Sequence, residues 1–295
     1  SGGSSVVTTD EGNIPGMGSQ HETSATQPFG AATDGSFKME LHGADATVSI
    51  GGTELKVENG KLYHNGVEVT ADAAVSVPGG AHGTLTVTGM DADGTVHYTY
   101  TLTTPVDATG NASNRPGEGD AGRGEAVRAD AFDVSITTTG GTATGQITVD
   151  ALDDAPVLST LDTTQTTVAD GEAALTGTLS FTPGADAEGA QVTVEVEGQT
   201  FTGTKGENGW TFTGGSDGSS FQLNGTAFTY TRPASNTTDG RNDTIILKVT
   251  VTDGDGDTAE QSVTVNTVAG PLFEGAPSGG SSVVTTDEGN IPGMG

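Results

Sequence analysis

The sequence predicts an all-β chain, two tandem antiparallel β-sandwiches in an elongated arrangement, and three observations predict it. Many short segments alternate apolar and polar residues with period two, as strands with one buried face do. Clusters rich in Asn-Gly and Asp-Gly separate these segments, and such pairs favour tight hairpins. Glycine is abundant, at 47 of 295 residues, while only 5% are aromatic. That composition suits many strands joined by tight turns, and the regular alternation of Val and Ile argues against disorder.

Taken in order, the strand segments are 84–88 (TLTVT), 96–102 (VHYTYTL), 132–137 (FDVSIT), 146–149, 191–196, 228–231, 245–252 and 262–265. Turn clusters lie at 90–94 (MDADG), at 58–60 and 207–209 (ENG), at 64–66 (HNG) and at 223–225 (LNG). Two halves resemble each other. TATGQITVDALDDAP (142–156) matches TAEQSVTVNTVAGP (258–271) as a last strand with its exit. NASN (111–114) matches PASN (233–236), and VVTTDEG (6–12) loosely matches TTVADGE (166–172) as a first strand. These matches place one sandwich at 1–155, enlarged by insertions near 13–36 and 52–80, and a second at 156–277.

The first eighteen residues, SGGSSVVTTDEGNIPGMG, recur letter for letter at 278–295. The simplest reading is one period of a tandem array followed by the first strand of the next unit; a duplication introduced by design would leave the same match. Arrays of near-identical units make length, so a spacer is expected, with adjacent repeats of the same polypeptide as partners. Two copies of one first strand would also compete for a single slot, which allows head-to-tail strand exchange through 278–295.

Ten basic against 39 acidic residues give a net charge of −29. No nucleic acid partner is expected, because binding needs clustered Lys and Arg. No apolar run is long enough for a membrane-spanning helix, so no direct membrane insertion is expected. Cysteine is absent, which leaves a bound metal to replace disulfides as a stabiliser. An export signal is expected elsewhere in a longer polypeptide.

Connectivity indicates where the acids fall. In a seven-stranded sandwich that the chain enters at one end and leaves at the other, alternate loops share an end. Loops 183–190 and 253–257 of the second sandwich then face the first. They carry Asp186, Glu188, Asp253, Asp255 and Asp257. The linker arriving there holds Asp150, Asp153 and Asp154, and the acidic segment of the first sandwich adds Asp107 and Asp120. So many carboxylates repel one another unless a cation neutralises them. Oxygen-rich clusters with glycine turns suit Ca²⁺, which takes about 6–8 oxygen ligands. At least one Ca²⁺ is expected at this junction. The following junction offers Glu274, Asp239, Asp243, Asp287 and Glu288, a weaker set.

DADGTVHYTYTLT (91–103), ITVDALDDAP (147–156) and VTVTDGDGDTAEQSVTV (249–265) resemble the immunoglobulin-like or cadherin-like extender repeats of giant type I-secreted RTX adhesins of Gram-negative bacteria. The resemblance covers both sandwiches. It implies a secreted, cell-surface stalk stiffened by Ca²⁺, which projects an adhesive region and supports biofilm formation. DALDDAP is also similar to the linker of animal cadherins, and that match makes Asp150, Asp153 and Asp154 the foremost ligand candidates. No RTX nonapeptide occurs; GGSDGSSFQ (214–222) departs from it.

An enzyme is not expected. His21, His42, His64, His82 and His97 lack metal spacing, and no Cys nucleophile occurs. The alternative function is a module binding carbohydrate or another surface ligand through Thr-rich strands. It would require aromatic residues grouped on an exposed face.

Overall fold

The computed structural model describes residues 3–19, 29–106, 126–207, 209–233 and 243–269. The repeated segment 278–295 lies outside them. Strands β1 (Gly3–Asp10), β2 (Ala32–Lys38), β3 (Ala46–Ile50), β4 (Thr53–Glu58), β5 (Lys61–His64), β6 (Val67–Glu68), β7 (Val75–Val77), β8 (Gly83–Met90), β9 (Thr95–Leu102), β10 (Ala126–Thr138) and β11 (Gly141–Leu152) form the first sandwich. Its sheets run β1-β11-β10-β3-β4-β5-β6 and β2-β9-β8-β7.

The second sandwich contains β12 (Val157–Thr163), β13 (Thr167–Ala169), β14 (Ala174–Thr182), β15 (Gln191–Val196), β16 (Gln199–Gly206), β17 (Gly209–Gly214), β18 (Ser220–Asn224), β19 (Ala227–Thr231), β20 (Thr244–Thr252) and β21 (Thr258–Val268). Its sheets run β12-β14-β19-β18 and β13-β21-β20-β15-β16-β17. Each sandwich has its own core, one spanning Val7 to Ala151 and the other Leu158 to Val265.

Alternation sets the two faces. In β9, Val96, Tyr98, Tyr100 and Leu102 are buried while His97 and Thr101 face outward. In β20, Ile245, Leu247, Val249 and Val251 fill the core, and Lys248 sits on the outer face beside Glu195 and Glu260. Asn59 and Gly60, and again Asn65 and Gly66, adopt positive φ between paired strands, the geometry that hairpin twist favours. The LNG cluster turns one residue later than its Asn-Gly pair suggests. Asn224 stays in the ladder opposite Ala227, which leaves Gly225 and Thr226 as the loop.

The segment 52–80 adds β4, β5 and β6 to the edge of one sheet and β7 to the other. The second sandwich opens with β12, not with the TTVADGE segment expected to be its first strand. The chain pairs first with β14, crosses sheets, and only then lays Thr167–Ala169 parallel to β21. In the first sandwich β1 runs parallel to β11 over its whole length. Parallel pairing carries the ends of β1 and β11 to the same place, so Asp10 lies beside Leu152.

Candidate metal centre

Four pieces of chain meet where the first sandwich ends and the second begins. A single 3₁₀ turn, Glu11–Asn13, follows β1, and the Asp10 side chain caps it by accepting from Gly12 N at 3.0 Å. The turn directs Glu11 inward, where it is 1% exposed. Val106 N donates to Glu11 Oε1 at 2.8 Å, and Glu11 Oε2 accepts no hydrogen bond. Asp153 leaves the end of β11 and is buried, with Oδ1 also accepting none. Asp186 arrives from the β14–β15 loop, and one oxygen each of Glu11, Asp153 and Asp186 lie within 4.8 Å of one another.

A second trio comes from the β20–β21 loop, where Asp253, Asp255 and Asp257 meet the same spacing. Gly256 N and Asp257 N donate to Asp253 Oδ1 at 3.0 and 2.7 Å. Among the described residues no donor reaches Asp253 Oδ2 or either oxygen of Asp255. The loops are joined to each other: Gly254 N donates to Asp186 O at 2.7 Å. A Cβ on Gly254 would lie 2.1 Å from Glu188 O and 2.9 Å from Asp186 O, so only glycine fits.

The two trios act on each other electrostatically. Burial first, then Asp255, Glu11, Asp257 and Asp186, pushes the Asp153 carboxyl up to about 10. Burial and Asp186 push Glu11 up to about 9 against the lowering contact from Val106 N–H. Burial and Asp255 push Asp253 up to about 8. Carboxylates this buried, with oxygens that no protein donor satisfies, suit a hard cation with oxygen ligands.

The sequence-predicted residues divide into three groups. Asp153, Asp186, Asp253, Asp255 and Asp257 come together. Asp154 lies beside them as a clamp: its Oδ2 accepts from Ser19 N at 2.7 Å and from Ala185 N at 2.9 Å, and its Oδ1 from Ser19 Oγ. Asp150 and Glu188 stand apart. Arg128 Nε, opposite Asp150 in the β10–β11 ladder, donates to its Oδ1 at 2.6 Å, while Glu188 is exposed at the loop tip. Asp107 and Asp120 lie outside the described residues.

Glu11 was not among the predicted ligands. Its signal was present in the repeat, since Glu288 is its copy and had been noticed as an acid of the following junction. Only the parallel β1–β11 pairing shows that this glutamate belongs at the end of its own sandwich.

Two predictions arise at this site. Gly254→Ala should cost about 1–3 kcal/mol by forcing two loops apart, and it should weaken any metal binding in a cation titration. Unchanged melting would show that the loops do not need this close approach. The second concerns pH in EDTA. A carboxyl whose folded pKa is raised holds its proton longest in the folded state. The stability it contributes is whole below its ordinary value and is lost as pH rises through the folded value. Glu11, Asp153 and Asp253 together place that loss between about 4 and the 8 to 10 range. Melting temperatures in EDTA should therefore fall from pH 4 to pH 9; a rise over that window would contradict the burial of these acids.

No protein-family model matches the chain, and no curated protein matches it. Solved structures give tandem immunoglobulin-like and cadherin-like domains. The titin domains z1z2 in complex with telethonin align over 91% of this chain and 93% of theirs, with 11% identity and a TM-score of 0.39. Titin Ig tandem domains A164-A165 align over 89% and 92%, with 11% identity and a TM-score of 0.25. Protocadherin gamma B7 extracellular cadherin domains 1–4 align over 75% and 46%, with 14% identity and a TM-score of 0.27. The sandwich architecture stands on the strand pairings themselves.

Proposed function

We propose that this chain is a Ca²⁺-stabilised extender segment of a bacterial cell-surface adhesin, in which bound Ca²⁺ fixes one sandwich against the next. One observation carries the reading: Glu11, Asp153, Asp253 and Asp255 hold oxygens that no donor among the described residues satisfies, at the junction of the two sandwiches. Glu11 and Asp153 belong to the first sandwich and its exit, Asp186 and Asp253–Asp257 to the second. A cation held among them ties the two units together and removes their repulsion. The remaining elements of the reading, secretion by a type I system and a role in biofilm formation, follow from the sequence resemblance.

The chemistry is mechanical, not catalytic. Extracellular Ca²⁺ modules typically bind at about 10⁻⁴–10⁻³ M, so calcium outside a cell would keep the joint stiff. A ligand-binding module is less well supported. The large apolar side chains exposed among the described residues are Val6, Met17, Val67, Ile246 and Val268, none of them aromatic. Trp210 packs edge-on against Phe181, with ring centroids 5.2 Å apart. Among the described residues no helix is long and apolar enough to cross a membrane.

Small-angle scattering paired with thermal melts, in EDTA and then in millimolar Ca²⁺, tests the proposal. A stiffer, longer particle and a higher melting temperature in Ca²⁺ are expected. Identical profiles would mean that the acids take no Ca²⁺ and would sink the reading.

A further inference from the structure

We infer that the slot occupied by β1 accepts residues 280–287 of a second copy of this chain, which joins molecules head to tail and brings Glu288 into the neighbour's carboxylate cluster. The slot is well defined. Gly3–Asp10 pairs in parallel with Gly145–Leu152, residue for residue. Ser5 Oγ donates to Ser36 O, Thr9 Oγ1 to Asp150 O and Thr148 Oγ1 to Ser5 O. A Cβ on Gly145 would lie 2.1 Å from Gly3 O, so the two backbones need this glycine to approach. β1 is the terminal strand of its sheet, with a ladder on one side only. It can leave without breaking any other strand pairing.

Gly280–Asp287 carries the same side chains as Gly3–Asp10, and Glu288 follows as Glu11 does. Every contact of the resident strand is open to the copy. The copy cannot reach the slot of its own molecule. β21 carries the chain about 33 Å away from the junction, and Gly145 lies about 23 Å from the junction in the opposite direction, at ~3.3 Å per residue. The twelve residue steps from Val268 to Gly280 span at most about 43 Å. The exchange is therefore intermolecular and heterologous, and such contacts propagate as open chains.

Resident and incoming strands make equal contacts, so the tether decides between them. A strand joined by a short connection competes at an effective concentration of roughly millimolar. The intact chain keeps its own β1 at micromolar concentration. Removing residues 1–18 removes the competitor. Strand entry needs no metal, whereas the contribution of Glu288 to Ca²⁺ binding rests on the calcium reading above.

The test is light scattering on the chain lacking residues 1–18, in EDTA and in Ca²⁺. Oligomers whose mass grows with concentration are expected, while the intact chain stays monomeric under the same conditions. Excess synthetic peptide SGGSSVVTTDEGNIPGMG should cap the slots and return the particle to one chain with one peptide. Val284→Pro combined with Thr285→Pro should abolish assembly, since one of two adjacent N–H groups faces the ladder. If the truncated chain folds poorly alone, binding of the labelled peptide and its restoration of the β-sheet signal by circular dichroism take over as the readout. A folded, monomeric truncated chain would overturn the inference. So would oligomers that survive the proline pair, or a peptide that does not bind. A peptide with Gln in place of its Glu should bind no more weakly than the parent in EDTA and more weakly in Ca²⁺; binding no weaker in either condition would count against the calcium reading alone.

Discussion

Asp153→Asn should raise the melting temperature in EDTA and, if the proposed Ca²⁺ binds, lower it in excess Ca²⁺, so that the two melting series cross. In the metal-free protein Asp153 is buried among Asp255, Glu11, Asp257 and Asp186, and its carboxyl is pushed up to about 10. At neutral pH the folded state must take up a proton that the unfolded state does not hold, and stability is lost in proportion. Asn has nearly the same shape and no proton to take up, so it removes that cost. The gain should vanish near pH 4, where the unfolded state is protonated as well. In Ca²⁺ the sign should reverse under the proposed reading, because a bound metal would need the deprotonated oxygen that Asn lacks. Ca²⁺ at about 100 times its Kd stabilises by about 2.7 kcal/mol. Each tenfold loss of affinity takes back about 1.4 kcal/mol of the metal-dependent part. Paired melts of both proteins decide the matter. Destabilisation in both conditions would mean that Asp153 makes an ordinary structural contact, and stabilisation in both would mean that its oxygens bind no cation.

Sequence legibility at this site followed the range of the signal. Period-two alternation and Asn-Gly turns are local, so β8, β9, β15 and β20 and the turns at Asn59 and Asn65 could be read directly. Loop parity is nearly as local, and it brought Asp186 and Asp253–Asp257 to the linker acids. Pairing register is not local. The partner of Asp150, Arg128, is fixed by the β10–β11 ladder, whose register shifts between Arg128 and Asp130. No spacing in the sequence reveals that this aspartate is spent on an ion pair. Asp154 was read as a ligand like its neighbour, yet Ser19 and Ala185 engage it from two remote segments. Glu11 escaped for the same reason: its place depends on a strand from the start of the sandwich lying parallel to one from its end.

Arg232→Met should cost about 3–5 kcal/mol, the usual loss when one partner of a buried ion pair is removed, and it should do so equally in EDTA and in Ca²⁺. The Arg232 side chain is 3% exposed. Its Nη2 donates to Glu197 Oε1 at 2.8 Å, and its Nη1 donates to the carbonyls of Asp170 and Glu172 at 3.2 and 3.1 Å. Glu197 is held in place at a hairpin turn with φ of 49° and accepts from Tyr230 Oη as well. Methionine fills the space but leaves the Glu197 carboxylate, 11% exposed, with one weak donor and two carbonyls without theirs. Adding Glu197→Gln should recover much of the loss, since the stranded charge is then gone. A Ca²⁺-dependent rescue of Arg232→Met would refute the separation of the two regions. The comparison bears on how the chain manages its excess of acid. Thr231 pairs with Ala174, and Ala174 follows the turn after β13, so Arg232 lies at the exit end of the second sandwich. There an internal guanidinium neutralises the carboxylate. At the opposite end no guanidinium among the described residues pairs with Glu11 or Asp153, and in the reading proposed above a cation from solution would supply the balance. If the proposed cation binds among those acids, that joint responds to calcium, while the Arg232–Glu197 end does not.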